Sequence, residues 1–257
     1  MSITEHLTNR MPLTAKMLYE LTAERGRYKC GWSMCYMPSP EYYRPIIQHL
    51  HPKELDYLNS LQYEARIRSY LLGRYAAKSA ASQLIGELDL KQLRVKNGIF
   101  QQPLLISGDG RSHPVSISHC GDVSAAVAFP VELQMGIDVE ALDEANYTAV
   151  ETQMTEREKA TLSKLPVSYE KGLMLLWTAK ESLSKAVKTG MTTPFSIYEI
   201  NQIEMRSAYT VSTHTYFTQY ITISVLGSRY AVSLTVPKLA RMPEAFGHEC
   251  QSFLAKI

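Results

Sequence analysis

A single shift along the chain lays Ser116-Ile-Ser-His-Cys-Gly121 over Thr222-Ile-Ser-Val-Leu-Gly227. The same shift lays a basic helical stretch at residues 66–81 over a second helical stretch at 172–187, with Arg74 on Lys180 and Ala80 on Ala186. Both halves then read helix, connecting segment, hairpin with glycine in the turn. At 257 residues the chain is long enough for two such units. The expected class is α+β: two similar lobes related by a pseudo-twofold axis, residues 1–131 and 132–257, with Gly136–Glu140 near the junction and a ligand cleft where the lobes meet.

The local signals fill in this frame. Pro52 opens a short helix to about Leu61, and a longer one follows from Tyr63 to Ile85, basic through Arg66, Arg68, Arg74 and Lys78. Asn97-Gly98 and Gly108-Asp109-Gly110 are turns. Val115–His119 alternates, Val123–Phe129 returns after Cys120-Gly121-Asp122, and Met135–Val139 is a third strand. Asp143–Met154 reads as helix, and Thr155 with Glu158 forms a capping box for another that ends before Pro166. Strands are expected at Phe195–Ile203, Tyr209–His214, Tyr220–Leu226 and Arg229–Val236, then a last helix within Pro243–Lys256. Tyr36–Pro45, with three prolines, reads as extended, and the first fifty residues show no clear period.

Chemistry concentrates on the helix Leu176–Lys188. Trp177, Glu181 and Lys185 stand four apart and share one face. Asp138 and Glu140 are two apart on a strand, so both carboxylates point the same way. Neighbouring carboxylates repel unless a cation intervenes. Three carboxylates with few other ligand types suit a hard ion such as Mg²⁺, which takes a few carboxylates and completes its shell with water and phosphate oxygens. His119, Lys180, Lys185 and the arginines of the long basic helix add the charge a phosphate ester needs.

Other classes are disfavoured. A net charge of +2 gives no basic field for nucleic acid. No stretch is long and apolar enough for a membrane span, and Met1–Arg10 lacks a signal-peptide core, so a cytoplasmic location is expected. Cys30 and Cys35 with His49 and His51 have no standard zinc spacing, and reduced thiols are the expectation.

Gly136-Ile-Asp-Val-Glu140 followed by Trp177-Thr-Ala-Lys-Glu-Ser-Leu-Ser-Lys185 closely resembles the double signature of the 4′-phosphopantetheinyl transferases, and best the longer, two-lobed class typified by surfactin synthetase-activating enzymes. Ser116-Ile-Ser-His119 resembles that family's Asn/Ser-x-Ser-His motif, Leu72-Gly-Arg-Tyr-Ala-Ala-Lys78 its first-lobe Gly-Arg helix, and Lys188-Thr-Gly-Met-x-x-Pro194 the segment after its Lys-Glu motif. The resemblance spans roughly residues 63–200. One departure stands out: where the family carries Gly-Lys-Pro, this chain has Gln101-Gln102-Pro103. A neutral Gln102 replaces a lysine that would touch the pyrophosphate; either Lys96 or Arg111 substitutes for it, or coenzyme A is bound less tightly than in that family.

The resemblance implies a monomeric transferase that moves the phosphopantetheine arm of coenzyme A onto a serine of an apo acyl or peptidyl carrier protein, releasing adenosine 3′,5′-bisphosphate. It implies Mg²⁺, or Mn²⁺, held by Asp138, Glu140 and Glu181. Glu181 becomes the base for the carrier serine, Lys185 the counter-charge for the departing phosphate, and His119 and Ser118 pyrophosphate contacts. Lys180 joins the coenzyme A contacts, and Arg66, Arg68 and Arg74 are equivalent candidates for the 3′-phosphate. The rival readings are a metal-dependent phosphohydrolase acting on a related phosphoester and a carrier-protein binding module without turnover.

Overall fold

The computed structural model describes residues 10–23, 26–98 and 102–257. Their strands and helices fall into two compact units. One holds Lys29–Val131 with the chain up to Tyr19; the other holds Glu132–Ile257 with Glu20–Tyr28.

The first unit is built from β1 (Leu13–Ala23) and β2 (Gly26–Tyr36), apart from their ends within Glu20–Tyr28, and from α1 (Tyr43–Ile47), α2 (Pro52–Asn59), α3 (Glu64–Ile85), β3 (Arg94–Asn97), β4 (Pro103–Ile106), β5 (Ser112–Cys120) and β6 (Val123–Ala128). The sheet runs β1-β2-β6-β5-β4-β3, with every pairing from β2 to β3 antiparallel. Helix α3 lies on β5 and β6. It is stopped by Gly86, whose left-handed φ of 75° lets its N–H return to the Ser82 carbonyl at 3.0 Å. Gly31 on β2 is there for space: a Cβ would stand 1.9 Å from the Ala80 carbonyl oxygen of α3.

The second unit contains β7 (Gly136–Ala141), α4 (Glu144–Glu151), α5 (Glu156–Leu162), α6 (Tyr169–Ala186), β8 (Ile200–Met205), β9 (Thr210–His214), β10 (Tyr220–Leu226), β11 (Tyr230–Pro237) and α7 (Ala245–Leu254). Its sheet, β7-β11-β10-β9-β8, is antiparallel throughout. Helix α6 lies on β7, β11 and β10. Gly136 plays the part of Gly31, because a Cβ there would stand 2.0 Å from the Ser182 carbonyl oxygen.

Taken separately, the units share one plan. In each, an antiparallel pair (β2–β6, β7–β11) carries a glycine against the backbone of the long helix. In each, a buried lysine of that helix meets a buried glutamate. Lys78 binds Glu54 and donates to the His49 carbonyl; Lys180 binds Glu158 at 2.8 Å and donates to the Gln153 carbonyl at 2.9 Å. Each glutamate also closes a helical capping box and accepts a strand amide, Val95 N–H for Glu54 and Ile200 N–H for Glu158. The glycine contacts match Ala80 with Ser182 and Leu84 with Ala186. The shift read from sequence, which set Arg74 on Lys180 and Ala80 on Ala186, is therefore corrected. Lys78 is the partner of Lys180, and the strand pairing sets Ile117 against Ser224. The connections differ in length between the halves, so no single shift fits helix and hairpin together.

Three local expectations also change. Tyr36–Pro45 is not extended throughout: Pro40 starts a 3-10 turn that leads into α1. Phe195–Tyr198 is a 3-10 turn before β8, with Phe195 and Tyr198 buried three apart, a helical rather than an alternating spacing. Helix α6 begins at Tyr169, where the Ser168 hydroxyl caps the Lys171 N–H, slightly ahead of the helical stretch read from residue 172.

Candidate active site

In the second unit, α6 buries one flank in the core and leaves Trp177, Glu181 and Lys185 partly exposed. Beside it runs β7, the edge strand of its sheet. Asp138 is only 2 % exposed although it carries a carboxylate, which requires a cationic or hydrogen-bonding partner. Lys185 supplies one, its Nζ 2.7 Å from Asp138 Oδ1. Glu181 is drawn the other way. Burial, and then the charge of Asp138, raise its pKa to about 6, against the opposing pull of Lys185 and the Ser184 hydroxyl. Glu181 thus feels the charge of Asp138, and the Lys185 ammonium bears on both carboxylates.

Glu140, two residues beyond Asp138, is partly buried and lines a cavity of about 750 Å³ with Asn146, Gln153, Trp177, Thr193 and Phe195. Trp177 stacks on Phe195 at 4.7 Å between centroids and 12° between planes, so the indole is a wall of the cavity as well as a core contact. The loop after α6 turns through Lys188 and Gly190 in the left-handed region, with φ of 60° and 55°. The Tyr198 hydroxyl holds it through Thr189 and Thr193 at 2.6 and 2.5 Å. Asn146, Gln153 and Phe195 were not legible as site residues: the first two sit in a polar helical stretch without motif spacing, and Phe195 reads as strand core.

In the first unit, His119 is exposed at the end of β5 and lines a second cavity, of about 630 Å³, with Lys53, Arg66, Arg74, Arg94 and Lys96. This is a strongly basic wall. The Arg74 guanidinium lies over the Tyr70 ring at 4.4 Å, which fixes its plane. Lys96 lines this cavity, so of the two substitutes for the missing lysine it is the one placed among the cations. Arg111 is paired with Asp109 at 2.5 Å and lines a different depression.

Four expected contacts stand elsewhere. Arg68 does not line the basic cavity; it binds Asp122 at 2.6 Å. Ser118 is buried, and the two-residue period of β5 turns it to the opposite face from Ile117 and His119. Lys180 is fully buried on Glu158, and burial lowers its pKa, so its ammonium serves the core and not a ligand surface. Gln102 folds over the Asn97-Gly98 turn, its amide nitrogen 2.5 Å from where a Gly98 Cβ would stand, and it accepts the Gly98 N–H at 2.7 Å. Gln101 lies outside the described residues.

Among the described residues no group of three His, Cys, Asp or Glu forms a ready cage for a metal ion. The donor chemistry suits a different arrangement. Asp138 and Glu181 form an electrostatically coupled pair, with Glu140 on the same strand face, and such a set matches an ion that uses one or two carboxylates and takes further oxygens from substrate and water. The four cysteines are free thiols; burial pushes the pKa values of Cys30 and Cys35 up to about 12, and, five apart on β2, the two side chains point to opposite faces of the strand. No helix among the described residues is long and apolar enough to cross a membrane.

Residues 134–235 match the family model of the 4′-phosphopantetheinyl transferase superfamily, a stretch that runs from just before β7 into β11 and includes Asp138, Glu140, Glu181 and Lys185. Among solved structures, the chain is similar to a holo-(acyl-carrier-protein) synthase from Bacillus anthracis str. Ames in complex with CoA (3′,5′-ADP). The two are 22% identical, the likeness covers 43% of this chain and 96% of that one, and the TM-score is 0.34. No curated protein matches the chain.

Proposed function

We propose that this protein transfers the 4′-phosphopantetheine arm of coenzyme A to a serine of an apo carrier protein. The observation that carries the reading is the Asp138–Glu181–Lys185 cluster, which lies inside the stretch matching the superfamily. The finer likeness to the two-lobed surfactin synthetase-activating class rests on the sequence motifs alone.

Asp138, Glu181 and Glu140 would hold Mg²⁺, and the bound ion would draw charge from the pyrophosphate oxygens. Everything else falls to the side chains. A carboxylate with a pKa of about 6 is ionised at neutral pH yet basic enough to take a proton. Glu181 accepts the proton of the carrier serine as its Oγ attacks the β-phosphorus. The bond from that phosphorus to the bridging oxygen breaks, and the oxygen leaves on adenosine 3′,5′-bisphosphate. Lys185, the ammonium nearest the pair, offsets the charge that develops on the leaving phosphate. Arg66, Arg74, Lys96 and His119 form the basic cavity that recognises phosphate groups of coenzyme A.

The test is incubation with coenzyme A, Mg²⁺ and a panel of apo carrier proteins, followed by intact mass. The reading predicts carriers heavier by one phosphopantetheine arm, with stoichiometric adenosine 3′,5′-bisphosphate. Free phosphopantetheine or phosphate without a carrier adduct identifies a phosphohydrolase. Carrier binding without either product identifies a binding module.

A further inference from the structure

Beneath the acid pair, between α6 and its sheet, lies a seam of buried hydroxyls. Thr178 Oγ1 meets Ser233 Oγ at 2.8 Å, and Ser233 meets Ser224 at 2.7 Å. One helical turn on, Ser182 Oγ meets Thr235 Oγ1 at 2.7 Å, Thr235 meets Thr222 at 2.6 Å, and Thr222 meets His214 Nε2 at 2.9 Å. All seven side chains are essentially inaccessible. His214 also faces the Tyr198 carbonyl through Nδ1, and burial keeps the ring neutral near pH 7 by lowering its pKa to about 4. A neutral ring has one N–H. The ring nitrogen that carries it sets the direction in which Thr222 and Thr235 donate, and the Ser182 hydroxyl also donates to the Ala179 carbonyl at 2.9 Å, which anchors the seam on the α6 backbone.

The first unit shows that this plan of helix on sheet does not need such a seam. The matching positions there are Ala76, Ala80, Val115, Ile117, Ala126 and Ala128, all within or packed on one apolar cluster. The hydroxyls occur in the unit that carries the carboxylates. Asp138 is paired across the strands with Ser233, and Gly136 with Thr235, so the seam ties the helix to the strand neighbours of β7. Apolar contact is non-directional, whereas hydrogen bonds fix both height and roll.

We propose that the Thr178–Ser233–Ser224 and Ser182–Thr235–Thr222–His214 hydroxyl seam is a positioning device: it sets the roll of α6 over β7, so that Glu181 and Lys185 face Asp138. Its members are positioning residues and touch no substrate. The role in catalysis rests on the transferase reading; the geometric role does not.

The test compares the native protein with a variant carrying Thr178→Val, Ser182→Ala, Ser224→Ala, Ser233→Ala and Thr235→Val. This set keeps the Thr222–His214 bond and leaves no seam hydroxyl without a partner, and the apolar solution in the first unit indicates that such a helix-on-sheet contact can pack. The geometric readout is a double-mutant cycle on stability, Asp138→Asn with Lys185→Met, in both backgrounds. The Asp138–Lys185 coupling should fall by half or more when the seam is apolar. The catalytic readout is steady-state transfer: kcat should fall at least tenfold with KM for coenzyme A within twofold. Thr235→Ser, which keeps the hydroxyl, should preserve both values. Equal coupling in the two backgrounds overturns the proposal, as does an unchanged kcat in a folded seam variant. If the five-fold variant does not fold, Thr235→Val and Thr235→Ser are compared instead, and equal coupling in that pair overturns it too. Absence of transfer in the native protein sinks the transferase reading, while the cycle still decides the seam.

Discussion

The two units set the same helix on the same strand pair, yet they fill the contact differently. On β2 the residues matching Asp138 and Glu140 are Ser33 and Cys35, and on α3 the residue matching Glu181 is Ser79. Ser33 donates to the Ala76 carbonyl at 2.6 Å and ends there, a satisfied small polar group. Asp138 instead needs Lys185, and Glu181 is left with a perturbed pKa. The shared parts, the Gly contacts and the buried Lys–Glu pairs, therefore belong to the architecture. The parts present in one unit alone, three carboxylates, Lys185 and the hydroxyl seam, are the ones the proposed transfer draws on. Perturbed carboxylates beside a cation are the usual mark of a site.

The largest expected effect tests the shared part. Lys78→Met and Lys180→Met each leave a buried glutamate without its ammonium, and each should cost about 3–5 kcal/mol of stability. Urea denaturation of both variants checks it. The comparison breaks if the two costs differ by more than about twofold. Next is the unshared part. Lys185→Ala should lower kcat by roughly 10²–10³ with little change in KM for coenzyme A, because its charge acts on the transition state. A change confined to KM would make Lys185 a binding residue.

Smaller effects sharpen the picture within each unit. Arg74→Ala removes a ring-stacked guanidinium from the basic cavity and should weaken coenzyme A binding by about 1.5–3 kcal/mol, read by calorimetry. Arg68→Ala should change that affinity much less, since Arg68 is engaged with Asp122. The pH dependence of Glu181 follows from its raised pKa of about 6 against the ordinary 4.5. Between those values the folded state holds a proton the unfolded chain has released. The metal-free protein therefore gains stability from this group as pH falls through 6 towards 4.5, and lacks that gain above 6. Glu181→Gln should be the more stable protein above pH 6, by up to about 2 kcal/mol, with the difference vanishing below 4.5. Denaturation at a series of pH values without divalent ions checks the sign. Smallest of all, Gln102→Lys should leave coenzyme A affinity within about twofold, because Gln102 covers a turn while Lys96 already lines the basic cavity.

The sequence made parts of this comparison readable and hid others for physical reasons. The carboxylates and Lys185 were legible because i, i+2 on a strand and i, i+4 on a helix each fix a common face. Strand β2 was not, since Cys30–Cys35 is buried without a break and an edge-to-edge apolar run has no alternation. Lys180 looked like a ligand contact because charge in a motif reads as exposed; only the approach of Glu158 from another helix shows it to be core. Ser118 and His119 adjoin in sequence, and adjacency on a strand means opposite faces. The hydroxyl seam was invisible for a related reason: Ser and Thr in strands are commonplace, and their convergence depends on three strands and a helix meeting. Gln102 fell in the motif position of a phosphate ligand, but the turn at Gly98 folds it away.

The central claim is that the chemistry resides in what the second unit has and the first lacks. It is tested most directly by giving the second unit the first unit's residues, Asp138→Ser with Glu181→Ser, and measuring single-turnover transfer to an apo carrier protein by intact mass alongside coenzyme A binding by calorimetry. The account predicts a folded protein that still binds coenzyme A and modifies the carrier at least a thousandfold more slowly than the native protein, a loss of about 4 kcal/mol in transition-state stabilisation. Transfer at the native rate by the folded double variant would contradict it.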